Sequence, residues 1–395
     1  MKRIAYACCI GVIGIITAEF GVIGFLPQVA AHYKININTA GLLLSVFSIA
    51  VAFGGPFTTL LSSGFNRKHV MLGSLGLYLI NGILSALAPP FWLLLIARAL
   101  PALLHAVYYS AAISVVMSTA KEKDHHKMMA IALSGISIAT ITTIPLSSYL
   151  ASAFSFQHSF LMQTIITAIG LVSVYFVIPS MPVSKKVNYL NQISILKKPV
   201  IWLSLLVTFL MFAAEFSMYG YFADYLLSVK HMSPKGISYL LLLFGATGLV
   251  GNWIAGKVLN NSISLTSIFF LVGCNIVVPL GLYLTGYSTL TVSIMVGLWG
   301  ILYAPGFLIA TSAISAEAPE ALEFANGMVN SFANFGVTAG TLLAGYIIFH
   351  KGINQIPWLA VTFGTLAVVL VFAKLLTARQ ALKIQLNTTK AEPVA

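Results

Sequence analysis

The sequence carries very little charge. Only 8% of its 395 residues are charged and 59% are hydrophobic, whereas an ordinary soluble domain is about 25% charged and about 45–50% apolar. So few charged residues cannot cover the surface of a soluble protein of this length. The apolar residues fall in long runs, and most runs have the ~20 residues that a membrane-spanning helix needs. The composition therefore predicts an integral membrane protein with many spans.

Several common site patterns are also absent. The chain has no paired Cys/His metal-binding pattern, no GxxxxGK[ST] phosphate loop and no GxSxG nucleophile elbow. We therefore expect no metal, no other cofactor, no ATP hydrolysis by this chain and no enzymatic activity of the common hydrolase types. The three cysteines, Cys8, Cys9 and Cys274, lie in apolar runs and predict no disulfide framework. The net charge of +12 is spread over many short loops, which is typical of membrane topology and argues against a nucleic-acid partner.

The apolar runs predict twelve membrane-spanning helices. With a cytoplasmic N-terminus, 16 of the 21 Lys and Arg residues fall in cytoplasmic segments and four fall outside. This bias predicts that both termini are cytoplasmic. The remaining base, Arg98, lies within a span. The predicted spans are 5–31, 39–63, 69–89, 91–118, 127–152, 158–179, 200–228, 234–259, 262–284, 288–315, 322–349 and 354–378.

A polar, basic connection at 180–199 divides the predicted spans into six and six. The segment TAEFGVIGFL of the first span recurs 196 residues later as AAEFSMYGYF in the seventh, so the second half resembles a copy of the first. The predicted fold is all-α, with two six-helix bundles and a site at their interface, as in major facilitator transporters. The predicted parts are an N-terminal bundle at 1–179, the linker at 180–199, a C-terminal bundle at 200–378 and a cytoplasmic tail at 379–395.

Three ionisable residues in the first half lie at membrane depth. A charge at the bilayer centre costs roughly 2.5–3.5 kcal/mol, so Glu19, Arg98 and His105 each need a partner or a function. Arg98 and His105 are seven residues apart and therefore share one helical stripe. We interpret the three as a proton-coupling cluster, in which burial and the guanidinium have opposing effects on proton binding by Glu19. The alternatives are a structural ion pair between the first and fourth helices and, for His105, a hydrogen-bonded structural histidine.

The second half carries its own polar residues at membrane depth. Glu215 repeats Glu19, and Tyr219 follows it by one turn. Glu215 could bind a proton, attract a cationic substrate or make a polar packing contact. In the eleventh helix Asn326, Asn330 and Asn334 lie on one stripe, which suits a hydroxyl-rich or heterocyclic ligand as well as it suits interhelical hydrogen bonding. The predicted substrate-binding residues are Glu215, Tyr219, Asn330, Asn334 and Tyr109.

The motifs of the chain are similar to those of a known family. The segments AEFGVIGFLP, RALPALLHAVYYS, SSGFNRKHVML and IPLSSYL resemble motifs of bacterial drug:H+ antiporters of the major facilitator superfamily, especially its sugar, arabinose and purine efflux branch. Three positions depart from the family pattern. Asn66 replaces the wider superfamily's Asp, Ser147 replaces a glycine of the exporter element, and Glu215 is not expected throughout this branch. The resemblance implies conformational roles for Arg67, Lys68 and Pro145.

The resemblance implies a proton-driven antiporter that exports a sugar, nucleoside or drug by alternating access. It implies a monomer in the bacterial inner membrane, whose partners are the substrate, protons and lipid. Two other functions remain open at this stage. One is a proton symporter or facilitator that imports a nutrient, and the other is a membrane-embedded enzyme or lipid flippase that uses Glu19, His105 and Glu215 as acid and base groups.

Overall fold

The computed structural model describes residues 2–62, 64–121, 125–181, 194–259 and 262–391. Every regular element within these ranges is helical, and twelve helices are long and apolar enough to cross a membrane. The predicted fold class and number of spans are therefore confirmed.

The spans are numbered α1 to α12, and several consist of two or three helical pieces. They are α1 (Lys2–Phe20, Gly21–Phe25, Leu26–Tyr33), α2 (Ile37–Ala40, Leu42–Ser62), α3 (Arg67–Ala86), α4 (Phe91–Ala102, His105–Thr119), α5 (His125–Ile138, Ala139–Thr143, Ile144–Ala153), α6 (Phe156–Val177), α7 (Pro199–Tyr219, Phe222–Ser228), α8 (Pro234–Val258), α9 (Ile263–Val272, Gly273–Val277, Val278–Leu284), α10 (Thr289–Tyr303, Gly306–Glu317), α11 (Leu322–Lys351) and α12 (Ile356–Ala391). Short 3₁₀ turns at Ser194–Lys197, Pro319–Ala321 and Ile353–Gln355 precede α7, α11 and α12.

The last helix continues beyond its predicted span. The span is predicted to end at 378 and the tail to cover 379–395, and the helix continues into this tail as far as Ala391. Residues 379–391 contain neither glycine nor proline and are rich in Ala, Leu, Lys and Gln, so nothing in them stops a helix that has already formed. The thickness of the bilayer sets the length of the apolar segment. It does not set the length of the helix, which can continue into the water on either side.

The twelve helices pack as two groups of six. In the first group α1 packs on α5 and α6, α2 on α4, and α3 on α6; in the second α7 packs on α11 and α12, α8 on α10, and α9 on α12. The two bundles meet where α2 packs on α11 and α5 packs on α8. Residues 182–193 of the predicted linker lie outside the described residues.

Helices α1 and α7 are broken at related positions. In α1 a 3₁₀ segment, Gly21–Phe25, interrupts the α-helix just before Pro27, and in α7 the interruption falls at Gly220 and Tyr221. Residues 24 and 25 correspond to 220 and 221 in the repeat. Because Pro27 has no N–H, it cannot bond to a carbonyl of the preceding turn. Glu19 lies two residues before the break in α1, and Glu215 lies five residues before the break in α7.

Helices α4 and α10 are also interrupted near their middle. In α4 the break covers Leu103 and Leu104, close to Pro101, and in α10 it covers Ala304 and Pro305. Proline removes a backbone hydrogen bond and crowds the preceding turn, which accounts for both breaks. The break in α4 ends at the residue before His105.

Helices α5 and α9 contain one π segment each. Ala139–Thr143 precedes Pro145 by two residues, and Gly273–Val277 precedes Pro279 by two residues. A wider turn accommodates a proline ring that would otherwise clash with a carbonyl one turn earlier. Pro145, predicted to have a conformational role, thus lies immediately after an irregular turn.

The contacts between the two bundles include hydrogen bonds on one side of the molecule. We call the side with the ends of the described chain the terminal side and the opposite side the distal side. On the distal side the hydroxyls of Ser45 and Thr341 lie 2.7 Å apart, and the hydroxyl of Ser238 donates to that of Ser148 at 3.1 Å. Gly41 contacts the Tyr221 hydroxyl so closely that any larger residue would clash. These contacts close the interface on the distal side.

Candidate functional site

The break in α1 is held by an arginine from α4. The Arg98 guanidinium is fully buried and donates from Nη1 to the Ala18 main-chain oxygen and from Nη2 to the Glu19 main-chain oxygen, both at 3.0 Å. Its Nε donates to the Leu43 main-chain oxygen of α2 at 3.0 Å. Arg98 makes no hydrogen bond or ion pair with the Glu19 carboxylate. It therefore joins three helices and positions Glu19 through the backbone.

The Glu19 carboxylate faces His105 and two tyrosines. Its Oε2 lies 3.7 Å from His105 Nδ1, and the same nitrogen lies 3.3 Å from the Tyr78 hydroxyl of α3. The Tyr109 ring lies 5.0 Å from the imidazole, and its buried hydroxyl has no hydrogen-bond partner in the described part of the chain. The structure thus brings the predicted Glu19 and His105 together in the first bundle, and it also places Tyr109, predicted to bind substrate, in this cluster.

The groups of this cluster are suited to proton transfer. A carboxyl, an imidazole and a phenol can each hold or pass on a proton, and here they are adjacent. Only 4% of Glu19 and 5% of His105 is exposed. Bulk water therefore has little access to either group, and a proton can pass directly between them. We refer to Glu19, His105, Tyr78 and Tyr109 as the acid cluster.

Glu215 has surroundings unlike those of Glu19. It is 3% exposed, and it makes no hydrogen bond or ion pair with any described residue. Tyr219 stacks on Phe244 at 5.0 Å within an aromatic group of α7, α8 and α10. Phe216, between the two, contacts Phe20 of the first bundle at 5.5 Å. The two predicted substrate residues of α7 therefore lie beside the interface, Tyr219 among aromatic rings and Glu215 in a small cavity.

The three asparagines of α11 have different contacts. Asn334 Nδ2 donates to the Asn330 main-chain oxygen at 3.0 Å, and Asn326 accepts from the Ser315 hydroxyl of α10 at 3.5 Å. The Oδ1 atom of Asn334 is buried without a partner among the described residues. Asn326 thus makes the interhelical hydrogen bond of one interpretation, and ligand binding by the stripe stays a prediction.

The predicted basic loop between α2 and α3 is attached to the end of α6. Asn66, which replaces the family's Asp, donates from Nδ2 to the Ser180 hydroxyl at 2.7 Å and accepts from the main-chain N–H groups of Met181 and Lys68. The Arg67 N–H donates to the Met181 oxygen at 3.1 Å. An amide can make these contacts without a charge, so the loop retains its attachment despite the substitution.

Two residues of these sites, Tyr78 and Asn275, were not predicted from the sequence. Tyr78 is a tyrosine in an apolar run, and no charge or spacing distinguishes it from tyrosines that only pack. Asn275 carried a usable signal, because an isolated amide inside an apolar span is costly to bury without a partner. Its Nδ2 is buried in α9 and has no partner among the described residues.

Comparison with known proteins identifies the family. The sequence model of the Major Facilitator Superfamily matches residues 8–323. The chain belongs to the major facilitator superfamily. It is therefore an integral membrane transporter by family, and the resemblance drawn from its motifs is confirmed.

Several relatives match over most of their length. The chain is 27% identical to the inner membrane transport protein YdhP of Escherichia coli (strain K12) over 370 residues, which is 93% of this chain and 94% of that protein. It is 25% identical to a probable sugar efflux transporter of Pasteurella multocida over 90% of this chain and 87% of that protein. A crystal structure of the nucleoside transporter NupG superposes with a TM-score of 0.74 at 13% identity, covering 95% of this chain and 99% of that one. The last likeness shows the fold alone.

Proposed function

We propose that this protein is a proton-coupled antiporter that exports a small organic molecule by alternating access. It would lie in the bacterial inner membrane with both termini in the cytoplasm, in line with the distribution of its basic residues and with relatives named as inner membrane and sugar efflux transporters. The terminal side would then be the cytoplasmic side.

The acid cluster is the observation that carries this proposal. Glu19 lies at the break of α1 and its carboxylate is 3.7 Å from His105, so movement of the broken helix would change its distance to the imidazole. A proton carrier needs two environments of different proton affinity, and a break beside the carboxyl provides a means of switching between them. Arg98 binds the backbone beside the break and forms no ion pair with the carboxylate, so the carboxylate can take up a proton.

The proton gradient supplies enough energy for such a cycle. One charge moving through 100 mV provides about 2.3 kcal/mol, and a pH difference adds to it. A tenfold substrate gradient requires about 1.4 kcal/mol, so one proton can sustain accumulation of more than tenfold. No ATP site is needed in this scheme.

The substrate would bind between the bundles. Its contacts would come from Tyr219, Asn330, Asn334 and Tyr109, with Glu215 nearby. Aromatic rings and amides recognise sugar rings and nucleobases by stacking and hydrogen bonding, which suits a sugar or a nucleoside. One relative is named as a probable sugar efflux transporter, which favours a sugar.

Transport by the purified protein tests the proposal. In proteoliposomes with a trapped pH dye, additions of sugars, nucleosides and cationic or neutral antibiotics should produce proton movement with one class. Glu19→Gln should abolish uphill transport but permit downhill exchange, because the amide keeps the shape of the carboxyl and cannot carry a proton. Asp224→Asn is the matched control, since that carboxylate accepts from the Ser228 hydroxyl at 2.9 Å in the distal part of α7.

Undiminished uphill transport by Glu19→Gln would refute the role of the cluster. Everted membrane vesicles give the direction, because an exporter loads them and an importer does not. Movement of labelled lipid in place of every soluble compound would make the protein a flippase and contradict the proposal.

A further inference from the structure

A small cavity lies inside the second bundle, among α7, α9, α10 and α12. All the residues that line it belong to this bundle, and its volume is about 50 Å³. Because a buried water needs about 10–15 Å³, the cavity has room for a few water molecules. Sites for drug-sized ligands measure about 300–1,000 Å³, so the organic substrate does not fit. The cavity suits water and small ions.

Two partnerless polar side chains line this cavity. Glu215 has no hydrogen bond or ion pair with the described residues, and Asn275 Nδ2 is likewise without a partner. They are 3% and 1% exposed. A buried carboxyl and a buried amide without partners are both costly, and water in the cavity would satisfy them together.

The wall of the cavity offers further oxygen atoms. The Thr208 hydroxyl donates to the Ser204 main-chain oxygen at 2.9 Å, and the Ser267 hydroxyl donates to the Ile263 oxygen at 2.8 Å. Since each proton is already donated, the two hydroxyl oxygens can accept from water. Ser204 and Glu215 both line the cavity and are eleven residues apart on α7, which corresponds to about 16 Å along a helix.

The terminal end of the cavity is closed by polar groups. Lys374 of α12 and Glu317 of α10 form an ion pair there. The Ser204 hydroxyl donates to Glu317 at 2.7 Å, and Lys374 Nζ lies 2.7 Å from the same hydroxyl. Ser204 and Glu317 lie near helix ends on the terminal side, and Lys374 lies near the terminal end of the membrane-spanning part of α12, so a small movement of these side chains would connect the cavity to the solution.

We propose that this cavity is a water-filled proton passage from the terminal side to Glu215, and that Glu215 is a second proton-binding site. The carboxylate takes one proton from the water chain, becomes a carboxylic acid and returns the proton by the same path. The route is separate from the interface between the bundles, where the substrate would bind. Only the use of this proton in transport rests on the proposed function.

Other ionisable groups surround Glu215. Tyr303 of α10 is near Glu215, and its ring lies 5.0 Å from that of Tyr219. The remaining groups on the packed helices are Tyr219 of α7, Cys274 of α9, Glu317 of α10 and Lys374 of α12. Lys374 lines the terminal end of the cavity and is paired there with Glu317. Glu215 is the carboxyl at the inner end.

Infrared spectroscopy of the full chain in lipid tests the passage. We expect a carboxylic-acid C=O band that disappears in Glu215→Gln and remains in Glu19→Gln. On transfer from H₂O to D₂O the band should shift rapidly in the native protein. Ser267→Leu should slow the shift about tenfold or more, because the leucine displaces water from the cavity.

Two glycines of α10 provide a matched pair of variants. A Cβ at Gly306 would lie 2.9 Å from Glu215 Oε1, whereas a Cβ at Gly297 would meet nothing closer than 3.7 Å. Gly306→Ala should therefore change the frequency of the Glu215 band, and Gly297→Ala should not. This pair keeps the test valid if Glu215→Gln fails to fold.

Three outcomes would overturn the proposal. They are an acid band unaffected by Glu215→Gln, an isotope shift equally fast in Ser267→Leu, and a carboxylate band that responds to sodium ions, which would make the cavity a sodium site. Failure here is distinct from failure of the proposed function. Uphill transport that survives Glu19→Gln would refute the role of the acid cluster while leaving the Glu215 band in place.

Discussion

Glu19 and Glu215 occupy the same position in the two repeats but have different neighbours. Glu19 faces an imidazole at 3.7 Å, and Glu215 faces a small cavity and an unpaired amide. The same residue in the same helical position can therefore serve two different purposes, since the neighbouring helices decide what it contacts. For each carboxyl, the role can therefore be tested by a single substitution of one of these neighbours.

The Tyr78 hydroxyl gives a residue-scale prediction. Tyr78→Phe removes only the oxygen that lies 3.3 Å from His105 Nδ1. Loss of one such hydrogen bond is worth about 1 kcal/mol, or roughly a fivefold effect on proton-coupled transport, and the unfolding temperature should change little. Proteoliposome transport across a range of pH measures this. Tyr239→Phe, at an exposed position, should behave like the native protein, and equal transport by both variants would exclude Tyr78 from the cluster.

Part of the site could be predicted from individual residues. Glu19, His105 and Glu215 were identifiable because charge is costly within the membrane. The partners of Arg98 were not identifiable, because main-chain carbonyls are present at every position and leave no trace in a sequence. Tyr78 was missed for a similar reason, since its hydroxyl matters only through a neighbour on another helix.

At the scale of the helix, the breaks distinguish this protein more than the helix lengths do. Helix lengths follow from the thickness of the bilayer, and the predicted spans accordingly agree with the observed ones to within a few residues, apart from the end of α12. The breaks in α1 and α7 and the π segments of α5 and α9 depend on prolines and glycines together with their packing. Pro27 and Pro145 mark where a break is possible, but the sequence alone does not specify the type of turn.

Arg98 gives the prediction at this scale. Lysine cannot reproduce the three hydrogen bonds to two helices. Its donors all belong to one nitrogen atom, whereas those of the guanidinium are spread over three. Arg98→Lys should leave buried carbonyls unpaired at about 1–3 kcal/mol each, so both the unfolding temperature and transport should fall. Thermal unfolding in detergent measures the first effect. Arg67→Lys is the control, since the hydrogen bond of Arg67 to Met181 comes from its main chain; equal stability of the two variants would contradict the anchoring role.

At the scale of the whole molecule, the two bundles are closed against each other on the distal side. Gly245, near the middle of α8, belongs to the same contact between α5 and α8, and a Cβ there would lie 2.7 Å from the Thr140 main-chain oxygen of α5. The hydroxyls of Ser148 and Ser238 meet on the same pair of helices. A transporter that alternates between two states must separate these surfaces in the other state.

Gly245→Ala should therefore favour the state that is open on the distal side. Gly256→Ala is the matched control on α8, because a Cβ there meets nothing within 4 Å. With Ser148→Cys in both proteins, an impermeant maleimide applied from the distal side should label the Gly245→Ala protein faster. Equal labelling rates would show that close approach at Gly245 does not determine the equilibrium between the two states.

The attachment of Arg98 to backbone oxygens has a consequence for how this protein can evolve. Every amino acid brings a main-chain carbonyl, so the anchor at residues 18 and 19 persists whatever side chain position 19 carries. A lineage could exchange the carboxyl for another group and change the driving ion, or lose energy coupling altogether, without rebuilding the helix bundle around it. The same independence makes position 19 the place where an engineer could convert the protein into a passive carrier by a single codon change.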